Sequence, residues 1–333
     1  MSDAEQDLTD PTTDELDDVV EAIPAAPDGF VSGLPRTRRA WRSLLDELGV
    51  RPSKGLGQNF LFERGIVDRI VRLASVGPDD HVLEVGPGLG ILTEALIARA
   101  GHVTAVEYDR RLAAHLRWTF DRSGRFHLHQ ADALQTPTTD LFPDDVTFSV
   151  VANLPYNIAS AVVQHLLEQP HRPTRLTLMV QREVAERIVA PPGELSVLGV
   201  ATQFYAAGRI LFDIPPTVFV PPPTVTSSVL QLDVRPELLL ADADIPEFMR
   251  IVRAGYNQKR KQVANSIAAR FGVPKAGVET WLRSAGVDPD RRAQTLTVAE
   301  WVAIRQAAPG LPAEDTSQSR KRDRVRPAAD ETP

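Results

Sequence analysis

The chain has 333 residues, no cysteine, 43% hydrophobic residues and a formal net charge of −7. That length accommodates one large domain plus a small one, and the hydrophobic content suits a packed core. The lack of cysteine excludes disulfides and thiolate metal centres, and no metal site is expected. There is no apolar run long enough for a transmembrane helix and no apolar signal-peptide stretch in the acidic N-terminal region, so a cytoplasmic protein without membrane contact is expected.

The charge is unevenly spread. Residues 1–34 carry ten acids and no Lys or Arg, and residues 311–333 carry five charges of each sign, which leaves +3 on residues 35–310. Residues 1–34 also hold few large apolar groups. Such a segment cannot bury enough surface to offset the entropy of ordering, so it reads as a disordered leader that either solubilises the protein or screens a basic surface nearby.

Residues 37–50 pattern as a short amphipathic helix around Trp41, Leu44, Leu45 and Leu48. Next comes Arg51-Pro-Ser-Lys-Gly-Leu-Gly-Gln-Asn-Phe-Leu-Phe62, glycines and amides ahead of aromatics, and then a helix over 63–74. The loop is either an ordinary surface turn or a lid over a ligand, with Asn59 and the Leu61 backbone in contact.

Residues 81–93 read His-Val-Leu-Glu-Val-Gly-Pro-Gly-Leu-Gly-Ile-Leu-Thr. An apolar strand runs into Gly86, Gly88 and Gly90, and an amphipathic helix follows over 89–100. Glycines at such a junction let the chain turn sharply and let a ligand approach the backbone. The helix start adds free N–H groups and the positive end of its dipole. The spacing lacks the two-residue gap of the dinucleotide fingerprint. A second apolar strand, 103–106, ends in Glu107, 21 residues after Gly86, where a carboxylate can take both hydroxyls of a ribose.

A helix over 110–120 and a strand over 126–130 lead to Ala131-Asp132-Ala133-Leu134. Asp132 either caps the following turn or meets an exocyclic amine. The strand 146–152 is nearly all apolar, hence buried on both faces, and ends in Asn153-Leu154-Pro155-Tyr156. Asn and Pro end strands well, but the carboxyl end of a strand in an open α/β sheet is also where ligands bind. A helix (158–168), a strand (175–180), a helix (182–189), an apolar segment (197–204) and alternating strands at 209–214 and 227–234 complete the series. Between the last two lies Phe219-Val-Pro-Pro-Pro-Thr-Val-Thr-Ser-Ser228, read as a stiff loop presenting Phe219. The strand–helix alternation over 35–235 predicts an α/β, doubly wound sheet ending in an antiparallel hairpin.

Residues 236–309 change character, with helical patterns at 246–256, 261–271, 273–285 and 298–306. From Arg253 to Arg292 there are nine Lys or Arg against three acids. A small basic helical domain is expected, its charge being either a solvated face or a nucleic-acid contact. Residues 310–333 read as a disordered tail.

Glu84-Val-Gly-Pro-Gly-Leu-Gly90 followed by Val106-Glu107-Tyr108-Asp109 resembles S-adenosyl-L-methionine (SAM) dependent methyltransferases. Gln58-Asn-Phe-Leu61, that glycine turn, Asp132-Ala-Leu, Asn153-Leu-Pro-Tyr156, Phe219-x-Pro-x-Pro-x-Val-x-Ser-Ser228, Tyr256-Asn-Gln-Lys-Arg-Lys261 and Arg292-Ala-Gln-Thr-Leu-Thr occur in the order seen in ribosomal RNA adenine dimethyltransferases. The chain is most similar to the branch acting on the small subunit. It departs at Thr224 and Thr226, where that family carries Lys and Asp; this touches RNA contact by the loop, not the chemistry.

The resemblance implies a Rossmann-like SAM-dependent methyltransferase domain and dimethylation at N6 of two adjacent adenosines near the 3′ end of 16S rRNA. The partner would be an immature small ribosomal subunit and the enzyme a monomer. A 23S rRNA adenine methyltransferase of the antibiotic-resistance type shares the motifs, and a mainly non-catalytic assembly factor is a third reading. Carried over, Asn59, Leu61, Gly86, Gly88, Glu107, Asp132 and Asn153 would line the SAM site. The Asn153 side-chain oxygen and the Leu154 carbonyl would accept the two N6–H bonds, Pro155 would fix the turn, and Tyr156 and Phe219 would stack on the two faces of the base.

Overall fold

The computed structural model describes residues 32–52, 57–258 and 260–310. The expected disordered leader and tail therefore lie mostly outside the described residues. The exception is the end of the leader, which packs: Ser32 and Leu34 are buried, and the Ser32 hydroxyl donates to Glu94.

The elements run α1 (Arg38–Glu47), β1 (Phe60–Leu61), α2 (Arg64–Leu73), β2 (His81–Val85), α3 (Ile91–Ile97), β3 (His102–Glu107), α4 (Arg110–Phe120), β4 (Phe126–Gln130), β5 (Phe148–Asn153), α5 (Ala159–Glu168), β6 (Arg175–Gln181), α6 (Arg182–Val189), α7 (Val197–Tyr205), β7 (Ala206–Ile214), β8 (Phe219–Val220), β9 (Ser227–Val234), α8 (Ile245–Gly255), α9 (Val263–Phe271), α10 (Lys275–Ser284) and α11 (Val298–Gln306). Local chemistry fixes several starts. Asp109 caps α4 by accepting from the Arg111 and Leu112 N–H groups, and Thr297 with Glu300 forms a reciprocal capping box at α11. The apolar segment 197–204, which has no alternation of its own, is α7.

Seven strands form one sheet in the order β4-β3-β2-β5-β6-β9-β7. The first five are parallel; β9 runs antiparallel to β6, and β7 antiparallel to β9. This is the expected doubly wound sheet with a hairpin at its end. The chain moves outward from β2 through β3 to β4, then returns to the other side of β2 as β5. The order therefore reverses between β2 and β5, and a crevice opens beyond their carboxyl ends. Val150, Val151 and Ala152 are at most 1% exposed, as a central parallel strand covered on both faces requires.

One expectation needs correction. The Pro-rich segment does not present Phe219: β8 pairs antiparallel with β1, setting Leu61 opposite Phe219, and the Phe219 ring is 1% exposed within the core cluster that holds Phe60 and Leu61. Burying such a ring is worth ~1.5–3 kcal/mol, so an apolar neighbour on β1 outweighs display on a loop. The helices after 235 also share the core of the sheet. Phe204 of α7 lies 4.6 Å from Phe248 of α8, and one buried cluster runs from Leu83, Val150 and Leu178 to Phe248, Ile251 and Trp301. Among the described residues no helix is long and apolar enough to cross a membrane.

Candidate active site

The crevice at the β2/β5 reversal is a cavity of about 330 Å³, within the range of small-ligand sites. Its floor is the glycine turn. Gly86 and Gly88 have φ of 67° and 60°, the left-handed region that glycine enters without penalty. Gly88 also lies close under Phe60: a Cβ there would stand 3.2 Å from the ring.

Glu107 closes one side. It is 6% exposed; its Oε2 accepts from the Gly88 N–H at 3.2 Å and its Oε1 from the Asp109 N–H at 2.8 Å. Burial holds its carboxyl above the ordinary range, and those N–H groups offset only part of the rise. A carboxylate has about four acceptor sites, so two backbone bonds leave capacity for a pair of ligand hydroxyls. Asp132, in the turn after β4, accepts from the Leu134 N–H at 2.9 Å and also lines the cavity. It makes the turn and faces the crevice at once.

The opposite wall is the end of β5. The Asn153 Nδ2 donates to the Asn59 carbonyl at 3.4 Å, which leaves Oδ1 as the acceptor end of the amide. The Leu154 N–H donates to the Met179 carbonyl of β6 at 3.1 Å. Gly57 lies against this loop, since a Cβ there would meet the Tyr156 nitrogen at 2.9 Å and Asn157 Oδ1 at 2.7 Å. Residues 57–61 therefore lie across residues 153–157, the placement a lid would have.

Asn59, Leu61, Gly86, Gly88, Glu107 and Asp132 line the one cavity, and so do Asn153, Leu154, Pro155 and Tyr156; Phe219 does not. Two further lining residues were not singled out from sequence. Tyr108 is 68% exposed, and its signal was available: an aromatic directly after the strand-end acid. Glu84 is 1% exposed in β2 and accepts from the Thr93 hydroxyl at 2.7 Å. Burial pushes its pKa up to about 8, so it is protonated at neutral pH. Its signal in the sequence is one acid inside an apolar strand. Among the described residues no cluster of His, Asp or Glu could hold a metal ion.

A glycine floor with the carboxylates of Glu107 and Asp132 placed apart along the lining suits a neutral nucleoside attached to an amino acid. The residues present thus fit SAM.

Residues 51–308 match the family model for ribosomal RNA adenine dimethylase. The chain is 36% identical over 270 residues to ribosomal RNA small subunit methyltransferase A of Dehalococcoides mccartyi, covering 81% of this chain and 93% of the relative. It is 41% identical over 272 residues to the protein of that name from Moorella thermoacetica, covering 79% and 94%. Among solved structures, the 23S rRNA methyltransferase ErmE is similar with a TM-score of 0.59 and 30% identity, over 75% of this chain and 99% of that one. A dimethyladenosine transferase from Plasmodium falciparum shares the fold, with a TM-score of 0.63 at 24% identity, over 74% and 95%.

Proposed function

The chain belongs to the ribosomal RNA adenine dimethylase family, and from that premise we propose that it dimethylates N6 of two adjacent adenosines near the 3′ end of 16S rRNA, acting as a monomer on immature small subunits. SAM is the cofactor and small-subunit rRNA the substrate class. The relatives named for the small subunit reach 36–41% identity, against 30% for the 23S enzyme.

The observation that carries the chemistry is the orientation of the Asn153 amide. Its nitrogen is taken by the Asn59 carbonyl at 3.4 Å, so its oxygen is left to accept from an N–H brought to the end of β5. When bound, SAM supplies an electrophilic methyl group, the demanding part of the reaction. The protein must then prepare a poor nucleophile, because the lone pair of adenine N6 is delocalised into the ring. Accepting one N6–H at Asn153 Oδ1 and the other at the Leu154 carbonyl favours a pyramidal nitrogen with its lone pair freed. The bond from the Leu154 N–H to Met179 and the ring of Pro155 hold that carbonyl in place, so orientation accounts for most of the rate. No strong base is needed if the proton leaves after the methyl arrives.

The base has to leave its stack to enter the crevice. Tyr156, half-buried at the rim, can hold it by stacking, worth ~1–3 kcal/mol per base. Phe219 is assigned no such contact; buried in β8, it backs the strand pair that carries Leu61. Glu107 takes the ribose of the cofactor and Asp132 its adenine amine.

Asn153→Ala tests this reading. It removes an acceptor used more strongly as N6 becomes pyramidal, so the loss should fall on the chemical step. Single-turnover methylation of small subunits from cells lacking the enzyme, at saturating SAM, should slow ~10²–10³-fold, the effect of deleting one oriented group at a transition state. Near-normal dimethylation by this variant would overturn the mechanism, and methyl groups on another atom or base would overturn the function.

A further inference from the structure

Ser227 opens β9, opposite Gln181 of β6 and Ile214 of β7, and is fully buried. Its hydroxyl lies 2.5 Å from the phenolic oxygen of Tyr156, at the short end of the O–H···O range. Among the described residues this is the side-chain hydrogen bond of both groups. Successive residues of a strand face opposite sides of a sheet, and Ser228 accordingly turns the other way, donating to Asp213 at 2.6 Å. Asp213 is in turn paired with Arg182 at 3.2 Å. The two serines therefore do different things. Ser228 ties β9 to β7 and α6, and Ser227 reaches the candidate site.

We propose that Ser227 is a positioning residue for methyl transfer, acting through Tyr156 by tethering its hydroxyl and so fixing the plane of the ring that holds the target base. The inference rests on the reading that Tyr156 stacks on that base. A tyrosine ring held only at its Cβ swings about two torsions; a second anchor at the far end removes that freedom. The same loop is anchored on its backbone by the Leu154 N–H to the Met179 carbonyl at 3.1 Å. Both tethers thus run to the neighbouring strands β6 and β9, one for the carbonyl that accepts from N6 and one for the ring. The phenol is suited to this part: burial raises its pKa, so it stays a neutral hydroxyl at physiological pH.

The consequence differs between the two methyl transfers. The second requires a bulkier base, N6-methyladenine, to sit in the same place, so it tolerates a displaced ring less. Ser227→Ala should slow the first transfer by roughly fivefold to twentyfold and the second by more, a fraction of the ~10²-fold that a 1 Å misplacement can cost. N6-methyladenosine should therefore accumulate relative to the dimethylated product. SAM affinity should not change, and the loss should fall on kcat rather than on the KM for SAM.

Tyr156→Phe removes the same bond from the other end, so it serves even if Ser227→Ala folds poorly. The measurement is a double-mutant cycle in single-turnover methylation of the full chain. Mass spectrometry reads both products, and melting temperature and calorimetric SAM affinity are recorded in parallel. Equal losses for Ser227→Ala and Tyr156→Phe that do not add in the double variant support the tether. Additive losses, or a Ser227→Ala enzyme with normal rate and normal product ratio beside a defective Tyr156→Ala, overturn it. Normal transfer by Tyr156→Ala would instead overturn the reading beneath it, that this ring holds the base.

Discussion

Two buried carboxylates in the crevice behave differently because their surroundings differ. Glu107 is pushed up by burial but keeps two backbone donors, whereas Glu84 has one hydroxyl donor, is repelled by Glu107, and rises to about 8. The folded state therefore retains a proton on Glu84 that the unfolded chain releases near the ordinary value of 4.5. Stability should fall as pH rises between about 4.5 and about 8. Burial lowers the pKa of both His102 and His115; their effect has the opposite sign and appears below the ordinary imidazole value of 6.5. Thermal melts of the apo-protein between those limits should thus show a decline with rising pH that Glu84→Gln flattens; an unchanged slope would mean that Glu84 ionises normally. Glu107→Ala should weaken SAM binding by roughly 1.5–3 kcal/mol, the scale of hydrogen bonds to a charged group, and equal calorimetric affinities would remove Glu107 from the site. At this scale the sequence was informative wherever a residue sat in a motif at a strand end, as Glu107, Asp132 and Asn153 do. It was silent on partnerships across the chain. The tether of Tyr156 to Ser227 spans 71 positions, and Phe219 is buried by a strand pairing that no local pattern announces.

The helices over 110–120 and 298–306 were legible to the residue, and in the structure each begins behind a side-chain cap, Asp109 for α4 and Thr297 for α11. The two-residue strands β1 and β8 were not, because only two antiparallel residue pairs fix them and their residues carry no alternation to read. How the basic helices meet the sheet was not legible either. A change of composition near 236 suggests a separate unit, yet the contact that matters is a buried aromatic pair between α7 and α8. Phe248 is fully buried and 4.6 Å from Phe204, within the cluster that also holds the strands. Phe248→Ala should cost about 3–5 kcal/mol and lower one cooperative unfolding transition followed by circular dichroism. If the helices instead melted in a separate, earlier step while the sheet stayed folded, the shared core would not couple them.

Across the whole molecule, charge and packing divide the N-terminal region at a different place from composition. All ten acids of residues 1–34 precede Gly29, whereas Ser32 and Leu34 belong to the packed structure. Ser32 donates to Glu94, which also pairs with Arg36 at 3.3 Å and with Arg64. Removing residues 1–31 therefore strips a charge of −10 and keeps Ser32, Arg36, Arg64 and Glu94 in the chain. The melting temperature and methyl transfer should survive this deletion. A deletion through residue 34 also removes a buried leucine, whose loss costs about 2–5 kcal/mol when truncated in a core, and should melt lower. The remainder carries +3 over residues 35–310, and its substrate class is a polyanion. If the acidic stretch screens that surface, the shorter deletion should tighten RNA binding most at low salt, where screening lengths are long, and least near physiological salt, where they fall to ~8 Å. Filter binding of small-subunit rRNA across a salt series, for the full chain and for both deletions, separates these effects. Identical salt dependence for the full chain and the 1–31 deletion would leave the acidic stretch without an electrostatic part in recognition, and a lowered melting temperature for that deletion would show that residues before Ser32 contribute to the packed structure.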